Sequence, residues 1–104
     1  FINQLETVDG DYELCEGIKL VTLPGHAPGF QGVLVNTEAG RYLIASDSVP
    51  FLRNWENRLF GLPTPSGIYT DTVTYYESIR KMLAISNYVL PGHDPRAFEK
   101  EVYP

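Results

Sequence analysis

Apolar residues along this chain gather in short runs separated by glycine, proline and acidic positions, and only one stretch repeats at a helical spacing. Residues 4–25 predict two or three short strands, with Asp9-Gly10 as a hairpin turn flanked by Val8 and Tyr12. Residues 32–47 predict a second hairpin: Val33-Leu34-Val35, a polar turn over residues 36–40, then Tyr42-Leu43-Ile44-Ala45, with the return strand ending at Ser46-Asp47. The near-continuous apolar character of these strands predicts a sheet covered on both faces, as in layered α/β proteins. Residues 48–67 hold Pro50, Pro63, Pro65, Gly61 and Gly67 without a clear period, which predicts an irregular connection with a short helix near Trp55. Residues 71–85 form the best helix, with Val73, Tyr76, Ile79 and Leu83 at spacings of three and four, Thr70 or Asp71 as cap, and Arg80-Lys81 late, where the helix dipole favours cations. Tyr88-Val89-Leu90 predicts a short buried strand stopped by Pro91-Gly92, and residues 95–103 a final helical turn or two.

A length of 104 residues accommodates one structural unit with one modest core. The sequence opens at Phe1 without an initiator Met or a basic and apolar leader, which reads as a cut in a longer chain. Apolar runs are interrupted by Pro24, Gly25, Pro50 and Pro91 before they reach the length of a membrane span, so a soluble chain without a membrane partner is expected. Net charge is −5, and the eight Lys and Arg residues are scattered except at Arg80-Lys81, which argues against nucleic acid as a partner. The single cysteine, Cys15, has no partner for an intrachain disulfide or a Cys-x-x-Cys pair and reads as a small residue packed on a strand; a cytoplasmic location fits.

Chemistry concentrates at strand ends. Both histidines follow Pro-Gly, in Pro24-Gly25-His26 and Pro91-Gly92-His93, and each triplet terminates a strand-like run. A lone loop histidine is usually an ordinary hydrogen-bonded residue, but two in a matched context at strand ends, where α/β proteins assemble their sites, point to a shared function. Asp47 also sits where a strand runs out, and one carboxylate with two imidazoles is a credible nitrogen and oxygen ligand set. Asp94 before Pro95 reads first as a turn former and second as a hydrogen-bonding partner of the site. Tyr69 is a candidate donor near the metals, although a tyrosine packed before a helix is the commoner case. Phe51, Trp55 and Phe60 either line a substrate pocket or anchor the long loop to the core, the latter being more usual.

The order Pro24-Gly25-His26-Ala27-Pro28-Gly29, a hairpin ending in Asp47, a helix, and Pro91-Gly92-His93-Asp94 resembles the second half of the metallo-β-lactamase superfamily. With Gly67-Ile68-Tyr69-Thr70-Asp71, the pattern is most similar to the N-acyl homoserine lactonase-like branch. The resemblance implies the C-terminal αβ half of a four-layer αββα sandwich, comprising β-hairpins, one main helix, a short final strand and a helical tail. It implies that His26 ligates one metal, His93 a second, and Asp47 bridges both, with the remaining ligands in a His-x-His-x-Asp-His motif that this sequence does not contain. Phe30, Gly32 and Ser46 depart from the family pattern, and Pro50 stands where quorum-signal lactonases carry a carbonyl-polarising Tyr.

The activity so implied is hydrolysis of a lactone, ester or thioester carbonyl by metal-activated water, with two divalent ions about 3.5–4 Å apart. Zinc is the default metal, with iron or manganese also admitted by mixed nitrogen and oxygen donors. Alternatives are a glyoxalase II-type thioesterase and a non-catalytic αβ binding or assembly module. Expected partners are a small-molecule substrate and either the missing N-terminal half or a second copy of this chain, and the isolated chain is expected to bind metal poorly and to be inactive.

Overall fold

The computed structural model describes residues 2–104, and Phe1 lies outside the described residues. After a 3-10 turn at Ile2–Gln4, the chain runs β1 (Tyr12–Cys15), β2 (Ile18–Thr22), β3 (Gln31–Thr37), β4 (Gly40–Ser46), α1 (Leu52–Glu56), β5 (Arg58–Leu59), β6 (Leu62–Pro63), α2 (Thr72–Ile85) and β7 (Tyr88–Pro91), then a 3-10 turn at Pro95–Phe98. Five strands form one sheet in the order β1-β2-β3-β4-β7. The first four pair antiparallel, and β7 joins β4 in parallel after the crossover through α2. This is the α/β class that the patterning predicts, with one main helix, a short final strand and a helical tail.

The first hairpin is displaced from its predicted turn. Among the described residues no strand precedes Asp9-Gly10; the turn lies at Glu16-Gly17, where Gly17 has φ +83° and takes the left-handed conformation that glycine adopts without a Cβ penalty. Asp11 is drawn instead into contacts with Thr22 and Lys81, which hold the approach to β1 against α2. Cys15, read as packed, is exposed, because β1 is an edge strand exposed on both faces. The second hairpin forms as predicted, with Thr37 opposite Gly40. Residues 48–67 contain the short helix near Trp55 and also a two-stranded β5-β6 hairpin that the irregular composition hid.

One sheet face packs on α2. Val21, Leu23, Leu43, Ala45, Val49 and Val89 meet Tyr75, Ile79 and Met82 in a single core, which at about 25 cal/mol per Å² of buried apolar surface supplies the main cohesion. Asp71 caps α2 by accepting from the Thr74 amide at 3.0 Å. The buried stripe is Tyr75, Ser78, Ile79 and Met82; of the predicted positions Ile79 is buried and Tyr76 packs against the core, whereas Val73 is 71% exposed and Leu83 is also exposed. The rotation has a chemical cause. Tyr75 and Ser78 bury their polar tips because the hydroxyls donate to the Ser48 and Pro24 carbonyls, each at 2.6 Å.

The expectation of cover on both faces is not met within this chain. Tyr12, Leu20, Val33, Ile44 and Leu90 form one cross-strand row. They alternate with the core-facing residues and so lie on the face away from α2. Tyr42, stacked on Tyr88 at 4.7 Å and flanked by Tyr103, is covered at one end, whereas Ile44 and Leu14 are 42% and 58% exposed. The strands are apolar on both sides, but the chain lays its main helix on one.

Candidate metal centre

Three strand ends, those of β2, β4 and β7, converge at one end of the sheet. At the first, Gly25 has φ +136°, and a Cβ there would lie 2.4 Å from the Tyr75 Cα, so the chain passes flush against α2 only as glycine. Its carbonyl accepts from the Thr70 and Asp71 amides and the Thr70 hydroxyl, which fixes the start of the His26 loop to the entrance of α2. At the second, Ser46 takes φ +47° and the Ser48 and Val49 amides turn back onto the Ala45 and Ser46 carbonyls, so that Asp47 projects from a tight bend. At the third, the Gly92 and His93 amides donate to the Val49 and Pro50 carbonyls, and a Cβ on Gly92 would stand 2.7 Å from the Ser46 carbonyl carbon.

The Asp47 carboxylate lies between the two imidazoles. Oδ1 is 2.6 Å from His93 Nε2, and Oδ2 is 3.8 Å from His26 Nε2. His26 Nδ1 lies 2.8 Å from the Ile68 carbonyl, which can only accept, so Nδ1 carries a proton and, in the neutral form of the ring, the lone pair stands at Nε2. A lone pair thus faces a carboxylate oxygen across a gap too long for a hydrogen bond. This is the orientation expected of a metal-ligating histidine, whose other nitrogen donates to a backbone carbonyl. Two donor atoms 3.8 Å apart are within reach of one cation at about 2.0–2.2 Å from each. The donor set therefore fits a divalent ion in type and orientation, and falls short in number. Among the described residues no group of three or more His, Cys, Asp and Glu side chains forms a ready metal cluster, and His93 is closed onto Asp47 by a hydrogen bond.

The other candidates lie outside this triad. Asp94 is buried and accepts from the Leu52 and Arg96 amides at 2.8 and 2.9 Å, which is a loop-holding role. Its carboxyl sits below the usual range, chiefly because of the Arg96 amide. Tyr69 is half exposed and meets the Tyr75 ring edge-on at 6.2 Å rather than either histidine. Trp55 packs on the core, whereas Phe60 is 96% exposed and anchors nothing. A cleft of about 730 Å³ is lined by Phe51, Arg53, Asn54, Thr64 and Asp94 among others, and none of His26, Asp47 and His93 lines it. Sequence reasoning missed Ser66, the Ile68 carbonyl and Tyr75, all of which act behind the triad through hydrogen bonds. The sole trace of them in the sequence is a tyrosine inside the helix where a leucine would satisfy the pattern.

No family model matches the chain. An N-acyl homoserine lactonase from Bacillus sp. is 40% identical over 53 residues, covering 50% of this chain and 21% of that protein. The N-acyl homoserine lactonase AttM of Azorhizobium caulinodans is 33% identical over 98 residues, covering 88% of this chain and 35% of that protein. A crystal structure of an N-acyl homoserine lactone hydrolase, with the product N-hexanoyl-L-homoserine bound at its catalytic metal centre, superposes with a TM-score of 0.66 at 25% identity over 93% of this chain.

In sequence and fold the chain resembles the metallo-β-lactamase superfamily. Its homologues there are N-acyl homoserine lactonases, and the Sequence resemblance to that branch extends to the fold. The chain spans between about a fifth and two fifths of the length of these superfamily relatives.

Proposed function

We propose that this chain is the C-terminal half of a metal-dependent hydrolase of the N-acyl homoserine lactonase type, acting on a lactone, ester or thioester carbonyl. The observation that carries the reading is the Asp47 carboxylate directed at both His26 and His93, with His26 Nδ1–H donating to the Ile68 carbonyl. His26 Nε2 and Asp47 Oδ2 would hold one divalent ion, and His93 Nε2 with Asp47 Oδ1 a second, once the hydrogen bond between them opens. Bound there, such ions supply positive charge that acidifies a water and polarises the carbonyl it attacks. Zinc suits the donors, and iron or manganese are compatible. Asp47 fixes the spacing of the two imidazoles, and the backbone clamps at Gly25 and Gly92 hold each ring at its strand end. Pro50 brings no hydroxyl to the site, so a donor to the substrate carbonyl must come from elsewhere in the protein.

The remaining ligands belong to an N-terminal half that lays its own sheet on the apolar row Leu20, Val33, Ile44 and Leu90; a second copy of this chain is the other occupant of that face. Without that half the isolated chain is inactive. Among the described residues no helix is long and apolar enough to cross a membrane. The test is hydrolysis of a panel of N-acyl homoserine lactones, simple esters and glutathione thioesters by the full-length parent, beside its Asp47→Asn variant. Turnover of lactones that Asp47→Asn abolishes supports the reading. Turnover confined to glutathione thioesters moves it to a glyoxalase II-type enzyme, and a full-length chain inert on all three points to a binding module.

A further inference from the structure

Behind the triad, five hydrogen bonds join His26 to the residue after Asp47 by way of the buried Ser66 and Tyr75: His26 Nδ1 to the Ile68 carbonyl at 2.8 Å, the Ser66 hydroxyl to the same carbonyl at 3.3 Å, the Ile68 amide to Ser66 Oγ at 3.0 Å, the Ser66 amide to Tyr75 Oη at 3.2 Å, and Tyr75 Oη to the Ser48 carbonyl at 2.6 Å. Tyr75 is the hinge of this circuit. Its side chain is 1% exposed, its hydroxyl accepts from one loop and donates to the other, and its backbone is the surface against which Gly25 lies. Ser66 and Ser48 are likewise buried, so water does not replace a missing member at low cost.

We propose that Tyr75 is a positioning residue of the metal centre, holding His26 in the tautomer with its proton on Nδ1 and holding the Asp47 bend in register with it. The proposal rests on the metal-centre reading given above and goes beyond it by assigning a residue that touches neither metal nor substrate. The Ile68 carbonyl can fix the His26 tautomer only if residues 66–68 keep their place. They are pinned from within by Ser66 Oγ and from outside by the Tyr75 hydroxyl. The same hydroxyl pins the Ser48 carbonyl, one peptide beyond Asp47. A phenylalanine would fill the same space but leave the Ser48 carbonyl and the Ser66 amide without these partners. The 66–68 segment and the Asp47 bend would then each lose a bond at once, which no substitution on a single loop achieves.

The experiment uses the full-length protein, its Tyr75→Phe variant, and the pair Ser66→Ala and Ser66→Thr. Two readouts are taken: the ¹⁵N shifts of the His26 ring in the metal-free protein, and the Co²⁺ dissociation constant from its visible absorption. Wild type is expected to show one His26 tautomer with the proton on Nδ1. Tyr75→Phe, folded by far-ultraviolet circular dichroism, is expected to show a mixture and a Co²⁺ dissociation constant raised roughly 10- to 100-fold, the range for groups that orient metal ligands. Ser66→Ala should shift both readouts the same way and Ser66→Thr should restore them. A folded Tyr75→Phe protein with an unchanged tautomer and unchanged Co²⁺ affinity overturns the proposal. Should Tyr75→Phe not fold, the Ser66 pair decides: a shift in Ser66→Ala without rescue in Ser66→Thr, or no shift at all, overturns it equally. Should wild type take up no Co²⁺, the metal-centre reading fails, and the tautomer comparison alone then decides the role of Tyr75.

Discussion

Replacing Gly25 by alanine should be among the most damaging single-methyl additions this fold can receive. The added Cβ would lie 2.4 Å from Tyr75 Cα, 2.5 Å from its Cβ and 2.8 Å from its amide nitrogen. These are atoms of the helix itself and its first side-chain carbon, so no rotamer change relieves the overlap. Overpacking of this kind costs about 1–3 kcal/mol even where neighbours can shift. The backbone adds to it: φ is +136° at Gly25, a conformation that costs an L-residue about 1–3 kcal/mol. Together these give about 2–6 kcal/mol, against a total stability of about 5–15 kcal/mol for a domain. Relief by lifting the loop would break the bonds from Thr70 and Asp71 to the Gly25 carbonyl and carry His26 away from the Ile68 carbonyl. Equilibrium unfolding in guanidinium chloride measures the loss, with Gly29→Ala as control because a Cβ there meets nothing within 4 Å. A Gly25→Ala protein within about 0.5 kcal/mol of wild type, the range of ordinary surface changes, would refute the claim that this contact locks the His26 loop.

Ser46→Gly should stabilise by roughly 0.5–1 kcal/mol, since relief of the left-handed strain at φ +47° exceeds the entropy added to the unfolded chain; a shifted denaturation midpoint measures it. The Asp11 carboxyl is held below its ordinary value of 3.8: burial pushes it up, but the Lys81 ammonium at 2.8 Å and the Thr22 amide and hydroxyl outweigh that. A depressed pKa contributes stability above the unfolded value that is lost as pH falls through the folded one, so thermal melts from pH 5 downwards should show an acid loss that Lys81→Met reduces. Met82→Ala, at the centre of the α2 core, should cost about 2–5 kcal/mol by chemical denaturation.

What the sequence made legible was whatever lies in short-range pattern. The hairpin of β3 and β4, the span of α2 and the strand ahead of Pro91-Gly92 follow from alternation, period and breakers, and the three chemical residues were marked by the repeated Pro-Gly-His context and a strand end. What it concealed was set by tertiary contacts. Asp9-Gly10 has a good turn composition, but a hairpin needs a strand before it, and residues 5–9 have no neighbour to pair with. The buried stripe of α2 runs through Tyr75 and Ser78, which a hydrophobic pattern passes over because their polar atoms are satisfied only in the folded chain. Val73 looked like core and lies in solvent for the same reason: the helix is rotated to bury a hydroxyl that holds the loops behind the candidate site. The open sheet face belongs to this class too, since apolar strands announce a covering layer without saying which chain supplies it.

The metal content of the full-length protein, measured by mass spectrometry after exhaustive dialysis beside its Asp47→Ala variant, tests the central claim most directly. A single carboxylate that turns one oxygen to each imidazole predicts about two divalent ions per wild-type chain and the loss of at least one when Asp47 is removed. Equal metal content in the two proteins, or none in wild type, would contradict it.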